Sequence, residues 1–161
     1  MSQVSLDLSK GQRIDLTKTN PGLKVAAIGL GWDVSSNGND FDLDAFAIGL
    51  INGKIKSAPK DILFFNSPKK DGKPTLFNGG LIHSGDNLTG VGAGDDETIL
   101  VDFTKLPSDI TEVMVCVNIY QAVSRRQNFG QVNNAFIRVY DFDTKQDIAK
   151  YDLSEDYSAF N

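Results

Sequence analysis

Short apolar runs separated by turn residues dominate this 161-residue chain. No stretch of helical length shows a sustained helical repeat of apolar positions, whereas the runs rich in Val, Ile, Leu and Phe have the length of strands. The clearest runs are Leu23–Trp32, Phe41–Ile51, Asp61–Phe65, Glu97–Phe103, Glu112–Tyr120 and Ala135–Phe142. Many short strands joined by Gly-rich turns predict a mainly all-β fold, and we expect a β-sandwich of two mostly antiparallel sheets with short helical turns.

Short sequence motifs predict individual turns, helical segments and the position of one strand in its sheet. The pair Asn52-Gly53 predicts a tight hairpin turn, and Asp71-Gly72 a further turn, because these residues tolerate a positive φ. The segments Thr104–Asp109 and Ala122–Arg126 each predict a single turn of helix. The run Val113–Tyr120 is apolar on both faces of the pleat, which predicts a central strand covered on both sides.

Composition predicts one soluble domain over residues 1–161. Apolar residues make up 40% and charged residues 23% of the chain, which is ordinary for a globular protein. No apolar run approaches the roughly 20 residues of a transmembrane helix, and the first residues lack the pattern of a secretory signal. The net charge of −5 and the single adjacent arginine pair, Arg125 and Arg126, argue against nucleic acid as a partner. The lone Cys116 excludes a disulfide framework, so a cytoplasmic location is expected.

The first of two acidic segments places aspartates at every second position of Asp40–Asp44. Residues of one parity share a face of a strand, so we expect the three carboxylates on one face and Phe41 and Leu43 in the core. The spacing is similar to the start of an EF-hand loop. That motif is excluded, because Ala45 stands at its Gly position and Ile51 at its bidentate Glu position.

The second acidic segment, Ser84–Glu97, is rich in glycine. It lacks the Gly-Lys-Ser/Thr ending of a phosphate-binding loop. Its glycines permit tight turns with carbonyl oxygens aimed inward, an arrangement that suits a hard cation seeking oxygen ligands. Its acidic residues are Asp86, Asp95, Asp96 and Glu97.

The charge of these segments has an energetic consequence if they converge. Two carboxylates about 4 Å apart repel by roughly 4 kcal/mol at an effective dielectric constant near 20. With one histidine, His83, and one cysteine, the chain has too few soft ligands for zinc or copper. Oxygen donors leave calcium, magnesium or manganese, and the flexible coordination of calcium suits a site built from loops. Charge balance favours two calcium ions; the alternative is two separate solvated acidic loops.

Several stretches together resemble the TerD family of tellurite-resistance and stress proteins. They occur in family order and cover nearly the whole chain. These stretches are Gly29–Asp33, Phe41–Ala45, Gly85–Gly90, Gly94–Glu97, Gln127–Val132, Asn134–Val139 and Tyr151–Asp156.

The resemblance implies a β-sandwich that binds calcium through the two acidic segments. It implies a role in resistance to tellurite and other chemical damage, with other stress and tellurite-resistance proteins as partners in membrane-associated complexes, and a peripheral place at the inner membrane. Asp33 and Asn118 are secondary candidate ligands, and Asp40 and Asn87 contribute through a side chain or carbonyl. The principal ligands implied are Asp42, Asp44, Asp86, Asp95, Asp96 and Glu97.

The end of the chain departs from the family pattern. Family members continue past Asp156 with a further aromatic strand region and a Gly-rich closing segment, whereas this sequence stops at Asn161. A single TerD-like domain without that closing segment is therefore expected. An uncovered strand edge would favour self-association.

The sequence is compatible with three functions. The first is a calcium-binding module that is not an enzyme and acts through ordering and protein partners. The second is a metal-dependent hydrolase, for which the sequence offers excess carboxylates and no convincing base, since a lone His83 is more often structural. The third is a calcium-independent scaffold that assembles through sheet edges.

Overall fold

A computed structural model describes residues 6–34 and 40–153. The strands in these ranges are β1 (Leu6–Asp7), β2 (Val25–Gly31), β3 (Leu43–Leu50), β4 (Ile62–Leu63), β5 (Lys69–Lys70), β6 (Lys73–Leu76), β7 (Leu81–His83), β8 (Glu97–Asp102), β9 (Glu112–Ile119), β10 (Phe136–Asp141) and β11 (Asp147–Asp152). The helical segments are α1 (Leu16–Thr19), α2 (Ala122–Arg125) and 3₁₀ turns at Phe77–Gly79 and Phe129–Gln131.

The strands form two sheets. The larger sheet has the order β1-β11-β10-β2-β8-β7-β6-β5, and the smaller has the order β4-β3-β9. Every strand pair is antiparallel except β1 with β11, which is parallel. The predicted all-β sandwich of two mostly antiparallel sheets is thereby confirmed.

The core lies between the sheets. Burial alternates along β8, whereas nearly every residue of β2 and β3 is buried. Leu30 on β2 and Ile99 on β8 contribute from the larger sheet, and Leu43 and Ala45 on β3 contribute from the smaller one, all fully buried. Alternate residues of β3 face the other way, so Asp44 lies on the opposite face from its buried neighbours. The inward parity predicted for Phe41 and Leu43 is confirmed.

The six predicted runs each contain an observed strand, with ends that differ by up to two residues. The prediction of a central strand at Val113–Tyr120 is wrong. Among the described residues β9 pairs with β3 alone and forms one edge of the smaller sheet. Its inward valines, such as Val115, are only half-buried, and Met114 on the other face is exposed. Apolar residues on both faces of a strand therefore do not show that both faces are buried.

Both predicted turns and one of the two predicted helical segments are confirmed, whereas the other helical segment is not. Asn52 and Gly53 both have a positive φ in the turn that joins Ile51 to Lys54, and Asp71-Gly72 does the same between β5 and β6. Ala122–Arg125 is helical as expected. Thr104–Asp109 forms turns instead, because the Asp102 side chain and carbonyl accept the N–H groups that follow it.

The segment matched as Tyr151–Asp156 forms a strand only to Asp152, and residues 154–161 lie outside the described ranges. The expectations for the chain end and its uncovered edge therefore stay predictions. None of the helices in the described ranges has the length and apolar character needed to cross a bilayer.

Replacing Leu43 by Ala tests the placement of the core. This side chain is fully buried between the sheets, so its truncation should lower the free energy of unfolding by about 2–5 kcal/mol in urea titrations. The matched change Ile55→Ala, at a side chain that is 42% exposed, should stay within about 0.5 kcal/mol. Equal effects of the two changes would contradict the packing described.

Candidate metal centre

Three carboxylates converge at one end of the sandwich. Asp42 lies just before β3, Asp44 lies on β3, and Asp86 comes from the loop between β7 and β8. One oxygen of each lies within 4.8 Å of the other two. We call these residues the three-aspartate cluster, and residues 84–96 the acidic loop. Asp42 and Asp44 share a face because side chains alternate along a strand. The fold brings Asp86 to them across about forty residues of sequence.

The cluster contains an unsatisfied oxygen. Asp42 is only 8% exposed, yet its Oδ1 has no hydrogen-bond partner among the residues that the structure describes. A buried carboxylate oxygen without a donor is costly, and such groups in folded proteins are normally paired with a donor or an ion. The orphan oxygen therefore marks a place where a positively charged or hydrogen-donating ligand would be favourable.

Glu97 underlies the cluster and links the two sheets. It is the first residue of β8, and only 1% of its surface is exposed. Its Oε2 accepts the Ala45 N–H of β3 at 2.8 Å, and its Oε1 accepts the Asn87 N–H of the acidic loop at 3.3 Å. The carboxylate therefore fixes the acidic loop and the start of β3 to the same point of the larger sheet.

His83 supports the same junction as a neutral ring. Its Nδ1 accepts the Gly85 N–H at 3.0 Å, which places the remaining ring proton on Nε2. That nitrogen lies 3.0 Å from the Ala45 carbonyl oxygen, to which it donates. The ring is fully buried with both nitrogens engaged. It therefore has no free nitrogen with which to activate a water at the cluster.

Burial and mutual repulsion disfavour the ionised forms of the cluster. Burial, followed by the charges of Asp42, Glu97 and Asp86, raises the pKa of Asp44 to about 7. Burial likewise raises the pKa of Asp42 and of Asp86, with further contributions from neighbouring carboxylates. The three groups are thus brought together at an electrostatic cost that protons or a cation would relieve.

Glycines in β2 and in the acidic loop make this arrangement possible. A Cβ at Gly29 would lie 2.2 Å from the Asp95 Cγ, and one at Gly31 would lie 2.5 Å from the Gly94 carbonyl oxygen. Gly90, with φ of +69°, lies against the Trp32 indole in the same way. The end of the acidic loop therefore rests directly on the backbone of β2. Glycines inside a strand signal such close approach, and the sequence reasoning did not use that signal.

Asp95 lies away from the three-aspartate cluster. It contacts the face of β2 that carries Gly29, opposite to the core face of Leu30, and pairs with Arg138 of β10. The Arg138 Nε and Nη2 lie 2.8 and 3.0 Å from its two oxygens, a bidentate ion pair that also raises the pKa of Arg138. Arg138, which the sequence reasoning missed as a partner, stands directly opposite Gly29 in the sheet register.

Asp96 is held between the acidic loop and β2. Its Oδ2 accepts the Trp32 N–H at 2.9 Å, and its Oδ1 accepts the Asn87 side-chain amide at 3.2 Å. Burial, with smaller contributions from Asp95, Glu97 and Asp33, raises the pKa of Asp96 even so. Asp33 is exposed, and its Oδ2 accepts the Asn134 side-chain amide at 2.6 Å.

The remaining candidates lie at the rim. Asn118 stands directly opposite Asp44 in the β3–β9 register, so their side chains share a face of the smaller sheet. The Asp40 side chain is exposed, and its carbonyl oxygen accepts from Arg125 at 2.8 Å and from Gln127 at 3.0 Å. These bonds tie the segment around α2 to the residues that precede the cluster.

The chain matches a family model, proteins of known sequence and a solved structure. The model of the TerD domain matches residues 4–161. General stress protein 16U of Bacillus subtilis (strain 168) is 44% identical over 96% of this chain and 78% of that protein. The tellurium resistance protein TerD of Alcaligenes sp. is 43% identical over the same shares. The crystal structure of the protein of unknown function SAV2460 matches 80% of this chain and 71% of its own, with a TM-score of 0.63 at 25% identity.

The raised pKa values predict how stability depends on pH in the presence of a chelator. The folded chain keeps a proton on Asp44 up to about pH 7, whereas the unfolded chain releases it near 3.8. This contribution to stability is therefore complete below about pH 4 and is lost as the pH rises through 7. The free energy of unfolding in EDTA should fall from about pH 5 to about pH 8, and less steeply in Asp44→Asn. A value that stays constant or rises in wild type over that range would contradict the repulsive cluster.

Proposed function

The chain belongs to the TerD domain family, and on that premise we propose that it is a stress-response module that binds calcium at the three-aspartate cluster. The observation that carries the proposal is the orphan Oδ1 of the buried Asp42, which lies in a group of three converging carboxylates. Bound calcium would give that oxygen a partner and offset the repulsion that raises the pKa of all three aspartates.

The donor set fits calcium better than other metals. All three groups of the cluster offer carboxylate oxygens, and Asn118 adds an amide oxygen on the same face. Calcium takes six to eight oxygen ligands in flexible geometry, whereas magnesium demands a near-ideal octahedron. Asp86 is exposed, so water oxygens have access to complete the coordination sphere.

Asp33 and Asp96 are the proposed ligands of a second calcium ion. The charge of Asp33 contributes to the raised pKa of Asp96, so the two carboxylates lie close enough to interact. Both Asp96 oxygens and one Asp33 oxygen already accept a hydrogen bond, but each carboxylate oxygen has a further lone pair for a metal. Asp95 and Glu97 take supporting parts instead, since Arg138 holds the first and backbone N–H groups hold the second.

Ordering is the proposed consequence of binding. The cluster joins Asp42 and Asp44, at the start of the smaller sheet, to Asp86 in the acidic loop, so an ion there ties the two together. A ligand at a hundredfold excess over its dissociation constant stabilises the folded state by about 2.7 kcal/mol. The ordered end would then present a surface to other stress and tellurite-resistance proteins. His83 is not available as a water-activating base for hydrolysis, because both of its ring nitrogens are engaged.

Isothermal titration of calcium into chelator-stripped protein, with magnesium as competitor, tests the proposal. We expect binding of about two ions that magnesium displaces poorly. Asp42→Asn, Asp44→Asn and Asp86→Asn should each weaken the first ion by at least about tenfold, because each removes a charged ligand. Asp33→Asn should affect only the second ion.

Two controls separate ligands from other carboxylates. Asp71→Asn, in the exposed turn between β5 and β6, should leave affinity unchanged, since asparagine tolerates the positive φ found there. Asp95→Asn should lower stability while the cluster still binds its ion. An absence of calcium heat above that of magnesium would refute the proposal, as would equal losses in Asp71→Asn and Asp44→Asn.

A further inference from the structure

Arg125 is an exposed arginine whose guanidinium is nevertheless held at a defined place beside the cluster. It is the last residue of α2, the short helix that follows β9. Its Nη2 donates to the Asp40 carbonyl oxygen at 2.8 Å, and its Nη1 lies 3.5 Å from the Tyr120 carbonyl oxygen. The guanidinium therefore bridges the segment that precedes β3 and the turn that follows β9.

The Asp40 carbonyl oxygen is a firm anchor for this arginine, because a second donor shares it. The Gln127 side-chain amide donates to the same oxygen at 3.0 Å, and this glutamine is buried. The Gln127 backbone N–H donates to the Ala122 carbonyl oxygen at 2.9 Å, which closes the end of α2. Arg125 thus differs from an ordinary surface arginine, whose long side chain samples many rotamers.

Both anchors of the guanidinium are close neighbours of Asp42. Asp40 precedes it by two residues, and the Tyr120 N–H donates to the Asp42 carbonyl oxygen at 2.8 Å. Burial and the charge of Asp86 raise the pKa of Asp42, whereas the charge of Arg125 acts in the opposite direction. Both anchors are uncharged carbonyl oxygens, so the positive charge is not cancelled where it is held.

From this geometry we propose that Arg125 is a built-in counter-charge of the three-aspartate cluster, which lowers the affinity of the cluster for calcium; the inference rests on the proposed calcium site. When no ion is bound, a fixed positive charge beside the carboxylates offsets part of their repulsion. When calcium arrives, the same charge repels it. Arg125 therefore narrows the free-energy difference between the ion-free and loaded forms, which favours reversible binding.

Calcium titration of variants at this position tests the proposal. Arg125→Gln should tighten calcium binding by about threefold to tenfold at low ionic strength, and the difference from wild type should shrink in about 0.5 M salt. Arg125→Lys keeps the positive charge and should stay within about twofold of wild type. The matched control is Arg126→Gln, which removes the same charge from the next residue, an exposed side chain outside this anchor, and should change the affinity by less than about twofold.

Stability in EDTA gives a second readout that needs no metal. Without the ion, Arg125→Gln should lower the free energy of unfolding in urea titrations, because the carboxylates lose their counter-charge. This loss should be smaller when Asp42 is also changed to Asn, since the coupling between the two charges is then already removed. Arg126→Gln should give the same small effect with either residue at position 42.

The sign of the affinity change separates this role from a structural one. If Arg125 only held the segment before β3 in place, Arg125→Gln would weaken calcium binding. An unchanged or weaker affinity in Arg125→Gln therefore overturns the counter-charge and leaves the calcium site standing. Equal tightening in Arg125→Gln and Arg126→Gln also overturns it, since the net charge of the chain would then account for the effect. No calcium heat in wild type refutes the calcium site and this role together.

Discussion

The convergence of negative charge at one end of the sandwich is the constraint on which the rest of the structure depends. Asp42, Asp44 and Asp86 lie within ligand-sharing distance of each other, above a buried Glu97. Fixed N–H donors hold that glutamate in place: Ala45 donates from the smaller sheet and Asn87 from the acidic loop. The fold thus uses the Glu97 carboxylate to join its sheets, and it brings three further carboxylates, two buried and one exposed, so close together that a cation would relieve their repulsion.

Residues around the cluster hold the acidic loop against β2. Gly29 and Gly31 remove the side chains that would block the acidic loop from lying on β2. The Asp95–Arg138 ion pair then fastens the end of the loop to the outer face of the larger sheet. Asp96 and Asn87 complete the attachment through Trp32. The acidic residues of the loop thereby divide into attachment points and cluster members, although they look alike in sequence.

That division marks the limit of what could be predicted from the sequence. The strands of the core followed from local patterns, because short apolar runs bounded by turn residues have the length and composition of strands. The pairing of Asp42 with Asp44 followed from the alternation of side chains along a strand. The part taken by Asp95 did not, because it depends on Arg138, some forty residues later in the chain, and on the sheet register that sets Arg138 beside Gly29. The edge position of β9 was missed for a similar reason, since apolar residues on both faces do not reveal which strands pair.

Amide hydrogen exchange with and without calcium tests the central claim most directly, namely that one ion ties the acidic loop to the start of β3. We expect calcium to slow exchange in the acidic loop and at the amides of Trp32 and Ala45, which donate to Asp96 and Glu97. Exchange at the turn Asn52-Gly53, at the far end of β3, should change little. Exchange in the acidic loop that is unaffected by saturating calcium, or a change spread evenly over both ends, would contradict this claim.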